Sequence, residues 1–142
     1  MLRINKYFVI VAAALLLPSL AAAAVVAENA WIPLAPPGIS TFAGYLRLIN
    51  RGDAERKIVG VSSDAFAQVM IHRTVRENGT ARMEHMDELS LPAGKEISFE
   101  PGGLHVMFVG AQQPLSVERT VNVRLHLDDG SVLDVAFAVR PR

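Results

Sequence analysis

From residue 25 onward, apolar positions alternate with polar ones or gather in short β-branched runs. No stretch repeats apolar residues at the 3.6-residue helical period. The alternation is clearest near the end of the chain. Val121, Val123, Leu125 and Leu127 share one parity, while Asn122, Arg124, His126 and Asp128 share the other. Val135, Phe137 and Val139 resume an apolar face after Asp128-Asp129-Gly130. The pattern predicts strands over 26–31, 43–50, 57–62, 68–75, 81–89, 96–100, 106–109, 120–127 and 132–139, with a helical turn over 62–66. Between them stand turn formers: Pro36-Pro37-Gly38, Asn50-Arg51-Gly52-Asp53, Asn78-Gly79, Pro92-Ala93-Gly94 and Pro101-Gly102-Gly103. Asn78-Gly79 and Asp129-Gly130 both read as type I′ hairpin turns, which need positive φ at two successive positions. Many short, evenly spaced strands predict an all-β domain, a two-sheet sandwich or Greek-key barrel. Neither an internal repeat nor a second domain is visible.

The first 24 residues follow a different pattern. Arg3 and Lys6 precede a ten-residue apolar run over 8–17; Pro18-Ser19 interrupts it, and small residues follow over 20–24. This is the layout of a secretory signal peptide, with cleavage expected within 22–27 and a mature domain over 25–142. The alternative is an uncleaved anchor, since 7–27 is uncharged and just long enough to span a bilayer. The Pro-Ser break and the alanine run favour cleavage, which leaves no stable membrane anchor and implies a periplasmic location.

Composition narrows the function. The 142 residues hold 14 basic and 14 acidic side chains. Removing the leader takes Arg3 and Lys6 away and leaves the domain mildly acidic. That is no nucleic-acid binder, which shows a basic excess. There is no cysteine, so disulfides, thiolate metal sites, cysteine nucleophiles and a lipid-bearing cysteine are all excluded. A blue-copper electron carrier, which needs a thiolate ligand, is excluded with them. Four histidines and five methionines remain as soft or borderline ligands. Met70, Met83, Met86 and Met107 fall between residues 70 and 107, together with His72, His85 and His105.

Parity sorts this cluster. In a strand, residues i and i+2 share a face, so Met70 pairs with His72, Met83 with His85, and His105 with Met107. A hairpin at Asn78-Gly79 would set the His72 strand beside the Met83 strand. Two thioethers and two imidazoles suit Cu(I); they are a poor set for calcium or magnesium, which take oxygen, and for structural zinc. Thioethers also survive in an oxidising compartment where an exposed thiol would not.

The spacing His72-x10-Met83-x21-His105-x-Met107 resembles the signature of the periplasmic copper chaperones of the PCu(A)C family. The run from Pro101 to Met107 is similar to that family's PGG-x-H-x-M segment. Ala30-Trp31 with Pro36-Pro37-Gly38, Gly44-Tyr45-Leu46 leading to Asn50, and Asp129-Gly130 extend the similarity over nearly the whole mature chain. The resemblance implies a cupredoxin-like β-sandwich that binds Cu(I) near its surface through His72, Met83, His105 and Met107. It also implies delivery of copper to acceptor or assembly proteins of cytochrome c oxidase, in particular for the Cu(A) centre. Arg73 stands where the family often has an acidic residue, and Glu84, His85 and Met86 replace its usual Arg and apolar residue. These departures alter the rim of the site and leave the four ligands intact.

Met70 and His85 are candidate auxiliary ligands, with packing and surface as their alternative roles. Met86 reads as core filler, and His126 as a bystander on the polar face of its strand. Trp31 is a core or a lid aromatic. Pro101-Gly102-Gly103 lacks the Lys and Ser/Thr of a phosphate loop and reads as the turn that aims His105. Glu96 and Glu100 share a strand parity without a partner for acid–base chemistry. The sequence thus predicts a copper carrier without catalytic activity. The alternatives are a periplasmic copper-buffering or tolerance protein, and an extracytoplasmic β-sandwich that binds something other than metal.

Overall fold

The computed structural model describes residues 23–142. Apart from its last residues, the expected leader lies outside the described residues. Ten strands follow in order: β1 Val25–Pro33, β2 Thr41–Asn50, β3 Arg56–Ser62, β4 Phe66–Glu77, β5 Thr80–His85, β6 Leu89–Leu91, β7 Glu96–Phe99, β8 Leu104–Ala111, β9 Thr120–Leu127 and β10 Val132–Arg140. Among the described residues there is no helix.

The expected run over 81–89 is divided. Its first part, β5, pairs with β4; the Met86 amide makes a further bond to the Ile71 carbonyl (2.9 Å). The chain then crosses to β3, where Leu89 and Leu91 bury as β6. The helical turn expected over 62–66 is instead a tight bend. There the Ser63 hydroxyl donates to the Asn122 carbonyl (2.6 Å) and accepts the Ala65 amide, replacing helical backbone bonds. At Asn78-Gly79 both residues have positive φ (50° and 78°), as the hairpin requires. At Asp129-Gly130 only Gly130 does (82°). Asp129 uses its carboxylate to accept the Ser131 amide, so this corner is not the type I′ turn expected.

The ladder runs β5-β4-β8-β2-β1-β10-β9-β3-β6, with β7 also paired to β2. Among the described residues, only β1 and β10 pair in parallel, through Trp31–Ala138 to Pro33–Arg140. Strand β2 joins the two halves. One edge carries β1; the other carries β8 along Thr41–Gly44 and β7 along Leu46–Ile49. The sheet wraps round one core in which Ile32, Leu48, Ile58, Leu91, Val106, Phe108, Val123, Leu125 and Phe137 are fully buried. Each such side chain contributes about 1.5–3 kcal/mol by leaving water. Phe42, Phe66, Phe108 and Phe137 form a continuous aromatic run with centroid separations of 6.0, 4.9 and 5.6 Å. Gly44 lies beneath it: a Cβ there would stand 2.7 Å from Phe108 Cε2 and 3.0 Å from Phe137 Cε1. Buried Asn50 closes the end of β2. Its amide donates to the Ala54 and Leu91 carbonyls, and its oxygen accepts the Gly52 amide. The core thus fixes the inner face of β8 and leaves its other face for chemistry.

Candidate metal centre

Strand β4 lies between β5 and β8, and the two registers place the histidines in one row. His72 is opposite His85 on β5 and opposite His105 on β8. The ring centroids are 5.6 Å and 5.8 Å apart, each pair at 86°. One pleat along, Met70 is directly opposite Met107; one pleat the other way, Met83 is opposite Thr74. Directly opposed residues share a face, as do residues i and i+2, so all six side chains project from one face of the β5-β4-β8 sheet. The hairpin and the same-face pairs expected from parity are present.

The Pro101-Gly102-Gly103 turn aims His105. Gly102 takes positive φ (83°), and the Gly103 amide closes the turn on the Glu100 carbonyl (3.0 Å). The Gly103 carbonyl accepts the Thr74 amide (3.1 Å), which ties the turn to β4, and it also accepts His105 Nδ1–H (3.3 Å). A carbonyl only accepts, so Nδ1 carries the proton in this bond and Nε2 is left with a free lone pair. His105 is 4% exposed. Its Nε2 and the Nδ1 of His72 are buried with no hydrogen-bond partner. Two such atoms on neighbouring rings are a costly arrangement unless something else occupies their lone pairs. The Gly103 carbonyl is the part of the site that sequence reasoning missed; the PGG turn was its signal.

Burial holds the His72 imidazole below its ordinary value, and its neighbours His105 and His85 push it further in the same direction. It is therefore kept neutral, the form in which imidazole donates to a metal. His85 is more exposed, and its Nε2 lies 3.1 Å from the Asp87 carboxylate. Met70 and Met107 are half-buried, whereas Met83 is 59% exposed. The remaining candidates lie elsewhere. Met86 packs on the core. His126 is on β9, bonded through Nε2 to the Ser62 hydroxyl (2.9 Å). Trp31 packs at a tilt against Tyr45 (5.3 Å), with the Arg140 guanidinium over its ring (5.6 Å). Glu96 pairs with Arg47 at the exposed edge of β7.

Among the described residues no three His, Asp or Glu side chains converge to hold a metal by themselves. The methionine thioethers are the further donors that this face sets beside the imidazoles. The donors are neutral and soft, and the lone pairs of His72 and His105 are free to complete the set. This fits a monovalent soft cation and does not fit calcium, magnesium or structural zinc.

A family sequence model described as "Putative lipoprotein LpqE-like" matches residues 25–139. The chain belongs to the LpqE-like family. A "Putative lipoprotein" of Leifsonia xyli subsp. xyli is 32% identical to this LpqE-like chain over 114 residues, covering 80% of the chain and 68% of that protein. An uncharacterized protein of Rickettsia prowazekii is 29% identical over 94 residues; here the match spans 66% of the chain and only 52% of that protein. The solution structure of Cu(I)-DR1885 from Deinococcus radiodurans matches the LpqE-like fold with a TM-score of 0.69 at 32% identity, covering 87% of this chain and 83% of that one. The copper-bound PCuAC domain from PmoF2 matches with a TM-score of 0.71, covering 86% and 97%. At 21% identity it shows the fold alone. The fold is therefore the all-β, cupredoxin-like fold of PCuAC domains. The lipid-bearing cysteine that the family description suggests is not among these 142 residues, which contain no cysteine.

Proposed function

We propose that this protein is a copper chaperone of the periplasm, which binds one Cu(I) on the β5-β4-β8 face and passes it to a partner protein. His72, His105 and Met107 hold the ion, and Met83 reaches it from the exposed side. The observation that carries this is the pair of buried, unpartnered nitrogens on His72 and His105, set on a face that also presents thioethers. Imidazole nitrogen and thioether sulfur are the donors that suit Cu(I). The resemblance to PCu(A)C chaperones and the likeness to Cu(I)-DR1885 support the same ion.

The protein acts as a carrier, with copper as its cargo. Neutral donors leave the bound ion its charge, and Met83 at the rim gives an acceptor access to it. That exposure favours transfer over simple buffering. The acceptor is an assembly factor or subunit of cytochrome c oxidase, and the product is its Cu(A) centre. Export through the amino-terminal leader brings the chain to the compartment where that centre is loaded. Competition titration with a chromogenic Cu(I) chelator tests the core of this proposal. One equivalent should bind to the wild-type chain and be lost when Met83, His105 and Met107 are replaced together. Undiminished binding in the triple variant would refute it.

A further inference from the structure

The register assigns a role to a residue outside that ligand set. Met70 stands directly opposite Met107, and His72 directly opposite His105. Opposed Cβ atoms on neighbouring strands are roughly 5 Å apart, and residues i and i+2 are separated by roughly 7 Å. Two thioethers and two imidazoles therefore occupy the corners of one small rectangle spanning only β4 and β8. Met83 is placed otherwise. It lies on β5, opposite Thr74 and diagonal to His72. It is two strand spacings from β8, roughly 10 Å, and two pleat repeats from Met107, roughly 13 Å along the strands. A long side chain reaches a diagonal neighbour, so Met83 can approach the His72 side of the rectangle, but from its open flank. Burial follows the same division: Met70 and Met107 are half-buried, and Met83 is 59% exposed.

We propose that Met70 is a Cu(I) ligand, completing with His72, His105 and Met107 a four-donor site that retains the ion when Met83 lets go. The inference rests on the Cu(I)-binding function proposed above and adds to it. With His85, this face offers six donors to an ion that takes three or four, so donors at its edge are free to exchange. Met83 is the thioether free to do so, because it alone of the three methionines is exposed and on the edge strand, where His85 beside it is engaged with Asp87. An incoming acceptor ligand displaces Met83 while Met70 and Met107 hold the copper. Transfer then proceeds by stepwise ligand exchange, and the ion is never free.

The test uses the leaderless chain in wild-type, Met70→Leu and Met83→Leu forms. Leucine keeps the volume of methionine, so the fold is retained. Cu(I) affinity is read by chelator competition. Methyl-13C methionine labelling follows the wild-type Met70 signal directly, without depending on any variant. The Met70 methyl resonance should shift with the first equivalent of Cu(I), together with that of Met107. Met70→Leu should weaken binding at least about tenfold, and Met83→Leu by less than that, since only the second leaves the β4–β8 rectangle of Met70, His72, His105 and Met107 whole. A Met70 methyl signal unmoved by Cu(I), or a Met70→Leu affinity equal to wild type, would overturn the assignment while leaving the copper function standing. A wild-type chain that takes up no Cu(I) would refute both.

Discussion

His72 and His105 face each other across the β4–β8 ladder with rings 5.8 Å apart and nearly perpendicular, and each keeps a buried nitrogen that no protein group meets. Such an arrangement serves binding at the expense of the empty fold. Replacing His105 with Phe removes one unpartnered atom and one hydrogen bond to Gly103, effects of opposite sign and similar size. The apo stability of His105→Phe, measured by urea unfolding, should lie within about 1 kcal/mol of wild type. Cu(I), which at a thousandfold excess over the wild-type Kd adds about 4 kcal/mol to the wild-type protein, should add clearly less to the variant at the same concentration, because one of the two buried imidazole donors is gone. A variant that is both much less stable and stabilised by copper as strongly as wild type would show that His105 is a packing residue.

Acid should act through His72. Its imidazole sits below the ordinary value, first because of burial and then because of His105 and His85. The unfolded chain takes up this proton near pH 6.5, the folded chain only at lower pH. Stability from this residue is thus complete above about pH 6.5, falls as acidity carries the protein through the folded-state value, and levels off below it. Copper competes for the same lone pair, so affinity should weaken in the same direction. Thermal unfolding and Cu(I) titration between pH 7.5 and pH 5 check both trends. His72→Gln should flatten this part of the stability profile.

The turn before His105 should matter more to copper than to folding. Gly102 has φ of 83°, where a side chain costs about 1 kcal/mol. Gly102→Ala should lower stability by about that amount. Its larger effect should be on Cu(I) affinity, because the turn sets the Gly103 carbonyl that orients the His105 ring. Denaturant and chelator titrations on the same samples separate the two effects.

Gly44 should show the converse. A methyl group there meets the Phe108 and Phe137 rings on the core side of the sheet, away from the ligand face. Gly44→Ala should destabilise by about 1–3 kcal/mol through overpacking. The folded fraction should still bind one equivalent of Cu(I), as titration at low temperature would show.

The parts of this site that depend on local rules were legible in the sequence. Strand parity alone paired Met70 with His72, Met83 with His85, and His105 with Met107, and Asn78-Gly79 announced the β4–β5 hairpin. The alternation in 120–139 marked the faces that bury in β9 and β10. What was not legible depends on pairings between distant segments. Nothing local says that β8 flanks β4, or that His105 rather than Met107 stands opposite His72; the Gly103–Thr74 bond at the PGG turn sets that register. For that reason packing was the readier reading of Met70. The parallel contact of β1 with β10, which joins the two ends of the domain, has no turn to signal it. The break between β5 and β6 was hidden because Met86 to Glu88 continue the strand-like pattern while the chain changes partners.

X-ray absorption of the protein loaded with one equivalent of Cu(I) under reducing conditions tests the central claim most directly. A first shell containing both sulfur and imidazole nitrogen, with sulfur lost on oxidation to Cu(II), is the predicted result. A shell of nitrogen and oxygen alone in the reduced protein would contradict it, since the methionines of this face would then play no part in holding copper.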